Sequence, residues 1–155
     1  MNETIQITQL LAQKQELFLQ FAHCTEAMLT CPREQLEEQL ARREELMGEI
    51  DALDREVDRL ARQSGQEEQI LGAVRGSADW DSLPPQLRPV YEGAAAVRTV
   101  VSRLAETEAQ AGVRMVLEQE RILEQIKASS RSGAAQAARF LSSDDHPQPA
   151  SILKA

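Results

Sequence analysis

Residues 34–60 read EQLEEQLARREELMGEIDALDREVDRL, and this stretch decides the fold. Within it Leu46, Ile50, Leu53, Val57 and Leu60 recur at steps of four, three, four and three. Residues three and four apart share one side of an α-helix, so these side chains form an apolar seam. A repeat of about 3.5 residues drifts backwards on a straight helix and favours left-handed supercoiling against a neighbour. The other side is charged. Glu38 and Arg42, Asp51 and Arg55, and Asp58 and Arg62 stand acid-first four residues apart, an order worth roughly 0.2–0.5 kcal/mol per pair. Leu36, Leu40, Met47 and Ala61 extend the apolar set, which predicts a helix over about 33–63.

Towards the N-terminus, residues 4–29 read as another helix. Ile7, Leu10, Leu17, Phe21, Cys24 and Met28 keep the seam spacing, interrupted only by Lys14. Leu11, Phe18, Ala22 and Leu29 widen the stripe, as suits a helix with more than one neighbour. Thr30-Cys31-Pro32 breaks the pattern, and Pro32 is placed to open the next helix, with Glu34, Glu37 and Glu38 near its positive end. So short a break predicts an antiparallel hairpin.

Towards the C-terminus, Ser64-Gly65 ends the charged helix, and residues 66–75 read as a short helical piece around Ile70, Leu71 and Val74. Residues 76–85 are a turn-rich connection, with Trp80 anchoring it to the bundle and a length that lets the chain travel to the next start. A third long helix is expected over about 86–129. Val90, Val97, Val100, Val101, Leu104, Ala111, Met115, Ile122 and Ile126 fall on one side of it. Val113, Val116 and Leu117 fall a third to half a turn away, with Leu123 at the edge. That is more apolar surface than a three-helix packing uses. Three occupants stay open: the 66–75 segment, a second subunit, and a partner helix. Past residue 128 the chain turns small and basic, and residues 142–155, with His146 and Ile152-Leu153, are expected as a flexible tail. The whole reads as an all-α protein, a long antiparallel helical hairpin plus a third long helix in a three- to four-helix coiled-coil-like bundle over 1–141.

Composition removes several function classes. With 155 residues, one bundle is the natural size. Acids outnumber bases 25 to 17 and aromatics are 3% of the chain, which disfavours phosphate-backbone and base-stacking contacts, so no nucleic-acid partner is expected. No apolar run approaches a membrane span, and the start lacks a basic-then-apolar signal pattern, so a cytoplasmic location is expected. Cys24 and Cys31, with His23 nearby, lack the second close-spaced pair that structural zinc needs, and they read as small, buried or half-buried apolar positions. No glycine-rich phosphate loop, G-x-S-x-G, H-E-x-x-H or Glu-x-x-His pattern occurs. His23 and His146 stand beside no plausible nucleophile. The expectation is a protein without catalytic residues, metal or cofactor, which works by binding through helix surfaces.

The long N-terminal helix, the stretch 34–60, the middle loop and the helix LAETEAQAGVRMVLEQERILEQIKA at 104–128 together resemble the flagellar export chaperones of the FlgN/FliT type. Arg131–Phe140 and Ser151–Lys154 match the small-residue linker, aromatic and short apolar-basic terminus that such chains often carry. The resemblance implies a non-enzymatic cytoplasmic chaperone that keeps hook–filament junction proteins, or the filament cap protein, unassembled until export. It implies helix-in-groove capture of a client's terminal segment and handover to the export ATPase machinery. Carried onto this chain, the client anchors are Val113, Val116, Leu117 and Leu123, and the tail from Phe140 to Leu153 competes for that surface. A structural coiled-coil or scaffold protein, a homo-oligomer held through the same apolar face, is the alternative.

Overall fold

The computed structural model describes residues 2–141. His146, Ile152, Leu153 and the expected competing tail lie outside the described residues. The described residues form an all-α structure with no strand. Helix α1 spans Asn2–Thr30, α2 Leu36–Gln63, α3 Glu67–Arg75 and α4 Arg88–Leu141. Pro32 precedes a single 3-10 turn, Arg33–Gln35, so α2 proper opens at Leu36 rather than at 33. The extended backbone that Pro32 adopts (ψ 149°) postpones the helix by that turn.

The last helix is a larger correction: it continues to Leu141, well beyond the expected 129. Ser129, Ser130, Ser132 and Gly133 are weak helix formers, but none forbids the conformation as proline does. Contacts divide the chain into two units that part between Arg114 and Met115.

In the first unit α1 and α2 are antiparallel. Lys14 pairs with Asp54 at 2.6 Å, whereas Gln20 accepts from Arg42 at 3.2 Å and Met28 Sδ accepts from Arg43 at 3.0 Å, so the later part of α1 meets the earlier part of α2. Lys14, the one polar interruption of the α1 seam, therefore reaches a carboxylate on α2 and ties the two helices together. The opening part of α4 runs alongside α1 in the same direction. Gly93 lies against Leu11, and Glu108 accepts from Thr25.

One cluster gathers Ile7 and Leu11 of α1, Val57 and Leu60 of α2, Ile70 of α3, and Leu83, Leu87 and Val90 at the start of α4. The connection therefore does not travel along the bundle: α3 and the loop close one end of it. Trp80 packs on this cluster with its ring edge-on to Tyr91 (centroids 5.5 Å apart) and the Arg88 guanidinium over its face at 5.0 Å. Gly76 stops α3 in the left-handed region (φ 73°), and the N–H groups of Ser77 and Ala78 return to the Gly72 carbonyl. A second cluster joins Phe21 and Cys24 to Leu46 and Leu104. Cys24 is buried there as a small apolar group, and Cys31 is half-buried.

On the charged side of α2, Arg42 closes on Glu45 and Arg59 on Glu56, both three residues apart, in place of the Glu38–Arg42 spacing. Arg42 is drawn away from Glu38 because it also reaches Gln20 on α1.

Candidate partner-binding surface

The first unit holds its α1–α4 contact with polar pins at positions that apolar periodicity passes over. Glu108 of α4 receives both Nη2 bonds of Arg43 (2.8 and 2.7 Å) and the Thr25 hydroxyl (2.7 Å). The Arg43 guanidinium also lies 4.5 Å above the Phe21 ring. One carboxylate thus links three helices through charge-assisted bonds. At the end of α1, Arg114 donates to the carbonyls of Met28 and Cys31. Those are the unsatisfied carbonyls of a helix C-terminus, where a cation is favoured by the helix dipole as well. Thr25, inside an apolar seam, was the visible signal for this network; nothing local marked Arg114.

A cleft of about 450 Å³ lies between α1 and α2, lined by Glu16 and Leu17 of α1 and Glu49, Ala52 and Leu53 of α2. Among the described residues, no three His, Cys, Asp or Glu side chains are placed to hold a metal ion. No helix among them is long and apolar enough to cross a membrane.

The four anchors expected on the last helix are all exposed. Val113, in the first unit, is 61% exposed, and α3 does not cover it because Ile70 is committed to the end cluster. In the second unit Val116, Leu117 and Leu123 are 53%, 48% and 55% exposed. The helix does not gather these three into one patch. At about 100° per residue, Val116 and Leu123 lie within about 20° of each other, whereas Leu117 stands about 100° from Val116.

The companions of Val116 and Leu123 are Ile122 and Ile126, which were expected on the inner side and are instead 43% and 58% exposed. Val101, in the first unit, is likewise exposed rather than inward. Val90, Val97, Leu104 and Ala111 are buried as the spacing implied. The inward stripe thus keeps its spacing into the second unit while its burial stops. Periodicity could not reveal this, since it marks a face and is silent about whether a neighbour covers it.

The patch in the second unit is therefore Val116, Ile122, Leu123 and Ile126, spanning about 120° of the helix surface. Glu118 beside it is buried and accepts from Arg121 at 3.1 Å. Every described residue from 119 to 141 is exposed. Such a surface presents apolar side chains at helical spacing. No protein-family model, curated protein or solved structure matches this chain.

Proposed function

We propose that the chain is a flagellar type III export chaperone of the FlgN/FliT type. In the cytoplasm it binds hook–filament junction proteins, or the filament cap protein, and keeps them unassembled until export. The observation that carries this reading is the run of exposed apolar side chains Val116, Ile122, Leu123 and Ile126 on one face of α4. The helical plan of the chain, which carries the resemblance, supports it. A client's terminal segment docks as an amphipathic helix along that face and leaves again when the export ATPase machinery takes it over.

The energetics are adequate for reversible capture. Full burial of a Val, Leu or Ile side chain contributes about 1.5–3 kcal/mol. Four partly exposed anchors gain a fraction of that each, and association costs remove several kcal/mol more. The balance is a complex that holds a client yet releases it.

The test is calorimetric titration of the full chain with the terminal segment of a hook-junction protein and, separately, of a cap protein. One of the two binds at a one-to-one ratio. Val116→Glu with Leu123→Glu abolishes the heat while the far-ultraviolet helix signal stays unchanged, since both positions are exposed. Absence of binding to either segment contradicts the reading.

A further inference from the structure

One position breaks the burial of the α2 seam. Leu46, Ile50, Val57 and Leu60 are at most 4% exposed, whereas Leu53 between them is half-buried and lines the α1–α2 cleft. A helical hairpin has a groove on either side. The opening part of α4 occupies one, with Gly93 on Leu11 and Glu108 on Thr25. Gln13 and Glu16, which line the cleft, stand about 160° and 140° around α1 from Leu11, so the cleft opens on the other groove. Residues of α1 and α2 alone line it, and its volume of about 450 Å³ is that of a binding pocket.

Its charge says what fits. Glu16 and Glu49 both line the cleft, and among the described residues no cation pairs with either. Lys14 is held by Asp54, and Arg59 by Glu56. Two carboxylates on one largely apolar cleft repel each other, and a cation between them removes that cost. The same groove shows such a cation nearby. Arg42 stands seven residues before Glu49 and within about 20° of it on α2, and Gln20 stands likewise after Gln13 on α1. There the Arg42 guanidinium crosses the groove, donating to the Gln20 side chain at 3.2 Å and to Glu45 at 2.9 Å. At Glu49 the chain supplies an acid instead, and the groove stays open.

We propose that this cleft receives an amphipathic helix of a partner protein that is basic along one edge. An arginine of the partner enters between Glu16 and Glu49, and a leucine-sized side chain packs on Leu17 and Leu53. Arginine suits the place because its planar fork bonds carboxylates while its stem lies on apolar surface. Ala52, small and exposed, lets the partner backbone come close. The partner completes the hairpin as α4 does on the opposite side. It is not the client proposed for residues 116–126. The two surfaces share no residue, and neither reading depends on the other.

The experiment titrates the isotope-labelled full chain with a synthetic helical peptide that carries leucine at every third or fourth position and arginine beside each leucine. Saturable amide shifts are expected over residues 13–17 and 49–53, with none over 116–126. The same peptide with glutamate for arginine does not bind. Glu16→Gln with Glu49→Gln weakens binding by about tenfold or more, and Ala52→Trp, which fills the cleft, abolishes it. Glu37→Gln with Glu44→Gln removes the same charge from another side of α2 and leaves binding unchanged. All five positions are exposed, so the far-ultraviolet helix signal stays that of the parent. Absence of binding, equal losses in the two double variants, or shifts confined to 116–126 overturn the proposal. Val116→Glu with Leu123→Glu leaves peptide binding intact, so failure here and failure of client capture are read separately.

Discussion

The first unit and the residues that follow it use the same alphabet to opposite effect. Leu46, Ile50, Ile70 and Val90 are at most 2% exposed, whereas Ile122, Leu123 and Ile126 are 43% to 58% exposed. Residue types and spacings are alike; what differs is the number of neighbours. In the first unit each apolar stripe meets two other elements. From residue 119 onward the helix buries none of its side chains. An apolar stripe therefore specifies a folded core where the chain supplies partners, and an exposed apolar face where it does not.

That contrast can be broken at several points. Ile50→Ala removes a side chain at the centre of the hairpin and is expected to cost about 2–5 kcal/mol, read as a lower urea midpoint. Ile126→Ala, at protein concentrations where the chain is alone, is expected to stay within about 0.5 kcal/mol of the parent. Equal losses would erase the distinction between the two regions.

Glu108→Gln comes next. It removes the charge on which Arg43 closes and leaves the half-buried guanidinium underpaired, for an expected loss of about 1–3 kcal/mol by the same measurement. Gly76→Ala is smaller. It forces a side chain into the left-handed region, with its Cβ 2.7 Å from the Arg98 guanidinium carbon. The expected loss is about 1 kcal/mol or somewhat more, accompanied by weakening of the Arg98 bond to the Val74 carbonyl.

The smallest effect concerns pH. The hydrogen bond from Arg59 holds the Glu56 carboxyl below its ordinary range. A group whose folded value is depressed contributes stability above its unfolded value and loses it as pH falls through the folded one. Glu56 is half-exposed and its partner Arg59 lies on the surface, so this contribution is slight and salt-sensitive. Carboxyl NMR titration should place Glu56 below its ordinary range in the parent and return it there in Arg59→Gln.

Much of the fold was legible because helices announce themselves by spacing. The hairpin and the short piece at 66–75 followed from apolar steps of three and four interrupted by glycine and proline, and the docking of Trp80 from a lone large ring in the connection. What stayed hidden depends on distance through space. The Glu108–Arg43–Thr25 link joins residues 65 and 83 positions apart, and no local pattern connects them. The extent of α4 was missed for a different reason. Serine and glycine were read as the end of a helix, although they only weaken one. Of the expected anchors, Val113, Val116, Leu117 and Leu123 are all exposed; Leu117 stands apart in angle, and Ile122 and Ile126, expected inward, are exposed beside Val116 and Leu123.

Hydrogen exchange on the full chain, with and without the terminal segment of the captured client, tests the central claim most directly. The account predicts new protection over residues 116–126, with the amides of α1 and α2 unchanged. Protection confined to the α1–α2 cleft around Leu17 and Leu53, with none on α4, would contradict it.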